Sequence, residues 1–210
     1  MPGAALITYM DIPPADEAEF NDWYTNEHVA ERVDLEGFRS AYRFQAIDAA
    51  PRYFAYYETD GLGARTNPTY KAILAKQSDW STRVMTRFQN FGRMCGPLIA
   101  RAGRGHGAMA LVVRIEGGAD GDGLDGFLAE TLEAAVGAPL AVGGYLWCAD
   151  ADATGDAAVA GRRILVVEAL DETTLRRIAA ERFRPADLAA AGAKGEAAVG
   201  FYRLISFMEK

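Results

Sequence analysis

The strand pair GFRSAYRFQAI (residues 37–47) and PRYFAYYETD (51–60) decides the fold of the chain. Apolar and polar side chains alternate along the first stretch as they do in a β-strand, and we expect the second stretch to pair with it. Two stretches of similar character, VGGYLWCADA (142–151) and GRRILVVEALDE (161–172), occur in the second half. The recurrence predicts that the chain is built twice on one plan.

The segments around these strand pairs complete the plan. Pro13-Pro14 suits a helix start, and Ser78 and Asp171 are candidate N-caps. A Gly/Asp-rich turn precedes the first helix of the second half. The predicted elements of the first half are strands at 5–11 and 90–101, a helix at 16–33, and helical stretches at 67–76 and 79–87; those of the second half are strands at 109–117 and 198–208 and helices at 123–137 and 171–183.

Each half therefore reads as βαββαβ, the ferredoxin-like unit, and the fold class is α+β. An antiparallel sheet with helices on one face leaves its other face bare, and two such sheets can bury those faces against each other. We expect two ferredoxin-like repeats whose antiparallel sheets pack into an α/β barrel within one chain. The predicted domains are residues 1–103, which carry the site, and residues 104–210, a degenerate repeat.

Composition and charge exclude several classes of function. The formal charge is −7 and the pI is near 4.9, which disfavours a nucleic-acid surface or an anionic membrane. The N-terminal sequence lacks the features of a signal peptide, and no stretch is long enough to span a membrane. Cys95 and Cys148 make neither a disulfide framework nor a metal motif. We expect a cytoplasmic protein with free thiols.

The stretch FNDWYTNEHVAERVDLEGF (20–38) contains the candidate catalytic residues. At 100° per residue, six side chains fall within an arc of about 140°. Buried carboxylates are costly unless they are paired. Either they meet arginines, for which Arg39, Arg43 and Arg52 are available, or the helix faces a polar pocket. The six residues of the arc are Phe20, Trp23, Tyr24, Glu27, His28 and Glu31.

We favour the pocket, with His28 and Tyr24 as the catalytic pair, because a histidine one turn from a tyrosine can transfer protons. Tyrosine is concentrated in the first half, with seven residues against two, and a buried phenol needs a polar partner. The equivalent space in the second half should be filled by its own side chains. The predicted substrate-binding residues are Trp23, Glu27, Glu31, Tyr42, Arg43, Phe44, Phe54, Tyr56 and Trp80.

The run W-Y-x-x-E-H-x-x-E-R-x-x-x-x-G-F at Trp23–Phe38 resembles the dimeric α/β-barrel superfamily near its EthD-like members. The resemblance implies a site between helix and sheet, in which a histidine of the first helix, here His28, acts on a small cyclic or aromatic ligand. The superfamily includes cofactor-free monooxygenases, lactone isomerases, polyketide cyclases, dehydratases and haem enzymes. Its haem members usually take their axial histidine from the second repeat, where this chain offers only His106.

The preferred hypothesis is a cofactor-independent lyase or isomerase that uses His28 as general acid or base on a small, apolar or aromatic, oxygenated substrate. The alternatives are a non-catalytic ligand-binding or accessory protein and a cofactor-free monooxygenase. The sequence has no P-loop and no nucleophile elbow, and we expect no cofactor and no metal. The expected partner is a small molecule, and the sequence leaves open whether the protein forms a homodimer.

Overall fold

A closed barrel of antiparallel strands forms the centre of the molecule. The computed structural model describes residues 3–118 and 122–210. Within these residues the barrel order is β1-β3-β2-β8-β5-β7-β6-β4. The strands are β1 (Ala4–Asp11), β2 (Phe38–Asp48), β3 (Tyr53–Thr59), β4 (Gln89–Gly103), β5 (Met109–Ile115), β6 (Ala141–Cys148), β7 (Arg163–Ala169) and β8 (Ala198–Glu209).

Helices cover the outside of the barrel. In chain order they are α1 (Glu17–Trp23), which continues through a π-helical turn (Tyr24–His28) into α2 (Val29–Val33), then α3 (Gly63–Thr66), α4 (Pro68–Ala75), α5 (Asp79–Met85), α6 (Asp122–Val136), α7 (Ala151–Thr154), α8 (Glu172–Arg182) and α9 (Pro185–Ala190). The α+β class and the barrel are confirmed. The predicted Gly/Asp-rich turn falls partly on 119–121, outside the described residues.

Several helix starts follow the local chemistry that the sequence indicates. Ser78 Oγ accepts a hydrogen bond from the Ser81 backbone N–H at the start of α5. Asp171 caps α8 in the same way through Thr174. Both caps satisfy backbone donors that have no partner inside their own helix.

Two strand pairs close the barrel by joining the halves. At one seam β2 pairs with β8, and at the other β4 pairs with β6. Closure leaves no sheet edge free to pair with another chain. The division into domains 1–103 and 104–210 stays a prediction, because strands of both halves surround one shared interior core.

Side chains alternate between the barrel interior and the helix-covered surface. The interior core combines aromatic residues of both halves, among them Tyr42, Phe44, Phe54, Tyr56 and Trp147.

Separate cores lie under the helices of each half. The first is rich in aromatic residues and includes Phe20, Trp23 and Tyr57. The second is aliphatic, with Leu128 and Leu132 of α6 fully buried. The helix-covered space of the second half is thus occupied by leucine where the first half carries aromatic and polar groups.

The seams predict the behaviour of an isolated half. A fragment of residues 1–103 would leave β2 and β4 without their partner strands and would expose the aromatic interior face. Large exposed apolar patches drive association. We expect this fragment to dimerise or aggregate, as measured by size-exclusion chromatography with light scattering. The full chain, measured under the same conditions, should not aggregate. A stable, soluble monomeric fragment would contradict the shared core.

Candidate functional site

A pocket lies between the helices and the sheet of the first half. It holds about 510 Å³ of space between protein atoms, its open mouth included. Strands β1, β3 and β4 supply one wall, and the helical segments with the chain after α5 supply the others. Most of the lining is apolar or aromatic. The lining residues are Leu6, Thr8, Met10, Tyr24, His28, Arg32, Tyr57, Tyr70, Leu74, Met85, Phe88, Phe91 and Arg93.

Both predicted catalytic residues belong to the π-helical turn. The Val29 backbone N–H donates to the carbonyl oxygen of Tyr24, five residues earlier, which is the hydrogen bond of a π-helix. Such turns insert one residue into a helix and are frequent at functional sites. The wider turn brings Trp23 and His28 together, with ring centroids 4.4 Å apart. Tyr24 meets His28 edge-on at 4.9 Å. The prediction of a regular α-helix over residues 16–33 was wrong at this turn.

The His28 imidazole is held neutral. Its Nδ1 is buried and has no hydrogen-bond partner among the described residues. Burial lowers the pKa of His28 well below 6.5, and the nearby cations Arg32 and Arg43 lower this pKa further. Burial and like charge both disfavour the protonated form. At neutral pH the ring is therefore available to accept a proton.

Two phenols stand beside this imidazole. The Tyr57 hydroxyl donates to the Tyr24 hydroxyl over 3.0 Å. Burial, followed by the influence of Tyr24, raises the pKa of Tyr57 well above 10. The Arg43 guanidinium lies 4.0 Å from the centre of the Tyr24 ring, a cation–π contact. Because the Tyr57 hydroxyl donates to Tyr24, the Tyr24 hydroxyl can itself donate a hydrogen bond to a group in the pocket.

Glu27 serves the scaffold and does not line the pocket. Its Oε1 accepts hydrogen bonds from Ser78 Oγ at 2.5 Å, Ser81 Oγ at 2.8 Å and Trp23 Nε1 at 3.2 Å. Burial raises the pKa of Glu27, but these hydrogen bonds outweigh it and the pKa is lowered. Neither of the two expected solutions, an arginine partner or the pocket, applies to this carboxylate. It ties the π-helical turn to the start of α5.

Glu31 lies at the rim of the helix. Its carboxylate is 3.4 Å from the Arg32 guanidinium, and its side chain is about one-third exposed. The Arg32 guanidinium also lies 5.7 Å from the centre of the Tyr70 ring. Glu31 is thus an arginine-paired carboxylate, whereas Arg32 itself lines the pocket.

Four predicted substrate-binding residues are separated from His28 by the sheet. Tyr42, Phe44, Phe54 and Tyr56 point into the barrel and belong to the interior core. The prediction that they share one pocket with His28 was wrong. Side chains alternate along a strand, so it is the neighbouring Arg43, Tyr53 and Tyr57 that face the helices.

The remaining predicted residues support the pocket from outside its lining. Trp23 is fully buried beneath His28. Arg43 donates to Asn21 Oδ1 at 2.7 Å and borders a separate surface groove. Trp80 is half-buried and packs against the same core. Any role for these three residues in binding substrate stays a prediction.

A polar chain crosses the barrel interior. Tyr56 donates to Glu168 Oε1 at 2.7 Å, and Glu168 Oε2 lies 3.2 Å from His106 Nδ1. On its other side, His106 Nε2 is 2.8 Å from the Tyr42 hydroxyl. Both ring nitrogens of His106 have partners, so His106 in this arrangement does not fit the role of an axial haem ligand. In the described part of the chain, no group of three or more His, Cys, Asp and Glu residues is placed to hold a metal ion.

Several lining residues were not predicted from the sequence. Tyr57 could have been found from strand parity, since it shares the helix-facing side of β3 with Tyr53. Arg32 lies within the quoted stretch 20–38 but was not among the predicted site residues. Thr8 and Arg93 carried no sequence signal, because they meet through the pairing of β1 with β4.

The fold and the pocket define a class. A closed eight-stranded antiparallel barrel, with the order βαββαβ in each half across the described residues, is the dimeric α/β-barrel fold formed within one chain. The narrower likeness to EthD-like members stays a prediction. No protein-family model matches the sequence, and no curated protein matches it.

Solved structures show the same fold. The chain is similar to an anthrone oxidase-like protein, with a TM-score of 0.69 and 8% identity over 98% of this chain and 92% of the other. It is also similar to a candidate monooxygenase from Fusobacterium nucleatum subsp. nucleatum, with a TM-score of 0.66 and 11% identity over 99% and 95%. A mutant chlorite dismutase from Candidatus Nitrospira defluvii has a TM-score of 0.56 and 8% identity over 95% and 90%. At such identities the likeness concerns the fold alone.

Among the described helices, none combines the length and the apolar character needed to cross a membrane.

The role of Glu27 can be tested by its stability contribution. Glu27→Ala would deprive Ser78, Ser81 and Trp23 of an acceptor, and we expect the free energy of unfolding to fall by about 1–3 kcal/mol. Glu31→Ala is the matched control, since a carboxylate at the rim that makes one ion pair of 3.4 Å contributes at most about 1 kcal/mol. Urea denaturation measures both. Equal losses in the two variants would refute a structural role specific to Glu27.

The lowered pKa of His28 predicts a pH dependence of stability. The unfolded chain takes up a proton at this residue near pH 6.5, about the pKa of a free histidine, whereas the folded chain does so only at lower pH. The free energy of unfolding should therefore decrease as the pH falls below about 6.5. His28→Gln should weaken this decrease in urea titrations at several pH values. Parallel curves for the two proteins would contradict a neutral imidazole at His28.

Proposed function

We propose that this protein is a cofactor-independent enzyme in which His28 removes a proton from a small, apolar or aromatic ketone bound in the pocket. One observation carries the proposal: a neutral imidazole with an unpartnered, buried nitrogen lies beside a phenol pair in a cavity whose lining is mostly apolar or aromatic. A core histidine that served packing alone would be expected to have its buried nitrogen hydrogen-bonded.

The residues divide the work as follows. His28 takes a proton from a carbon next to the substrate carbonyl. The Tyr24 hydroxyl donates to the carbonyl oxygen, where negative charge develops. Tyr57 orients Tyr24 by donating a hydrogen bond to its hydroxyl oxygen. Donors preorganised toward a developing oxyanion are a large source of rate enhancement. Return of the proton to another atom gives isomerisation, and loss of a leaving group gives elimination.

The electrostatics of the pocket suit this step. Burial and two arginines keep His28 unprotonated at neutral pH, at the cost of making it a weaker base. A weak base removes only acidic protons, such as those on carbon flanked by a carbonyl group and an aromatic ring. The aromatic lining favours the same substrates.

A second candidate is cofactor-free oxygenation, which begins with the same proton transfer. Two proteins with this fold, an anthrone oxidase-like protein and a candidate monooxygenase, favour it. A carbanion formed by His28 would then pass electrons to dioxygen. Oxygen consumption that accompanies substrate loss distinguishes this candidate from lyase or isomerase chemistry.

Proton abstraction can be tested before the natural substrate is identified. We expect the wild type to accelerate the exchange of the acidic C–H protons of β-tetralone, a bicyclic aromatic ketone, in deuterated water. His28→Gln should slow this exchange by at least about 10²-fold, the usual contribution of a general base. Tyr24→Phe should slow it less, because only an orienting hydrogen bond is lost. Proton NMR follows the exchange directly.

His106→Gln is the matched control, since the other histidine lies in the exposed linker between β4 and β5 and does not line the pocket. Its exchange rate per folded molecule should equal that of the wild type. A His28→Gln protein that retains the full rate would refute the proposal. Binding of β-tetralone without any accelerated exchange would instead favour the non-catalytic, ligand-binding alternative.

A further inference from the structure

Two polar residues form part of the strand wall of the pocket without an evident structural role. Thr8 on β1 and Arg93 on β4 are directly opposite each other in the antiparallel pairing of these strands. Both line the pocket that contains His28. Residues opposite each other on one sheet face have their Cβ atoms about 5 Å apart, so these two side chains can act on one group.

Both side chains have unmet hydrogen-bonding capacity. Thr8 Oγ1 and Arg93 Nε are buried, and neither has a hydrogen-bond partner among residues 3–118 and 122–210. Buried polar atoms are nearly always hydrogen-bonded, and leaving a donor unsatisfied is costly. Together with His28 Nδ1, the pocket gathers three of the six such atoms found in the described residues.

The charged residues that line the pocket are all positive. Its lining contains Arg32 and Arg93 and no carboxylate. Arg32 is paired with Glu31 at the rim, whereas no described carboxylate lies within ion-pair distance of Arg93. Arg93 also borders a neighbouring groove that contains Asp156, but these two residues form no ion pair. A half-buried guanidinium in this position is free to bind an anion from the pocket side.

We propose that Thr8 and Arg93 form an anion subsite and that the natural ligand is a carboxylic acid carried on an apolar or aromatic ring. The guanidinium binds the carboxylate through charge-assisted hydrogen bonds, and the Thr8 hydroxyl donates to the same group. The ring lies against the aromatic lining, with its reactive carbon directed to His28. The inference rests on the proposed function for the location of the ligand, and it adds the class of substrate.

Paired probes of nearly equal shape test the subsite. Naphthoate and its neutral analogue naphthamide differ in charge at one group. Wild-type protein should bind naphthoate at least about 10-fold more tightly in isothermal titration calorimetry, since hydrogen bonds to charged groups contribute more than neutral ones. Naphthoate should also displace β-tetralone from the pocket.

Variants assign this preference to the two residues. Arg93→Gln should bind the two probes equally to within about twofold, and Thr8→Val should reduce the preference by a few-fold. Arg93→Lys, which keeps the charge, should retain part of it and guards against a folding defect in Arg93→Gln. Arg104→Gln, which removes an exposed arginine of the linker, is the charge control and should behave as the wild type.

The outcomes separate the two proposals. If naphthoate binds no more tightly than naphthamide, or fails to displace β-tetralone, the anion subsite is refuted even if His28-dependent exchange occurs. If the Arg93-dependent preference is present but β-tetralone undergoes no accelerated exchange, the subsite stands and the catalytic proposal falls. A preference that survives in Arg93→Gln would also overturn the assignment.

Discussion

Closure of one sheet into a barrel is the constraint on which the rest of the structure depends. The pairs β2–β8 and β4–β6 bend the sheet around a shared interior, so that neighbouring residues on a strand face opposite environments. Tyr56 and Tyr57 show the consequence: the first bonds Glu168 inside the barrel, and the second bonds Tyr24 beneath the helices. The barrel interior is filled by its own side chains, and the pocket that contains His28 lies outside the barrel wall, between helices and sheet.

The sequence predicted the order of elements, the barrel, and the placement of Tyr24 and His28, because hydrophobic periodicity and capping residues are local properties. It did not predict the partners of Glu27, since Ser78 and Ser81 lie far along the chain. Strand parity was misjudged for Tyr42 and Tyr56: the choice of inward face depends on which sheet surface the helices cover, and the register of β2 shifts between Phe38 and Ser40. Thr8 and Arg93 became neighbours only through the pairing of two strands.

The two halves differ in how completely their polar atoms and cores are satisfied. The second half packs Leu128 and Leu132 of α6 into a continuous aliphatic core. The first half leaves buried polar atoms unsatisfied at Thr8, His28 and Arg93, which costs stability. Function often requires such locally unfavourable arrangements, which the remainder of the fold must offset. The well-packed half supplies that margin through the shared interior core.

The seam between β2 and β8 also constrains how the molecule is made. β8 is the last of the strands to leave the ribosome, yet it pairs with a strand near the start of the chain. Contacts between residues far apart in sequence form slowly, because a long loop must close before they contribute. While it waits for β8, the first half has an open edge at β2 and an uncovered aromatic face, which are features that promote misassociation. The nascent first half is thus prone to aggregate, because the aromatic residues that later build the barrel interior stay exposed until the strands of the second half pair with it.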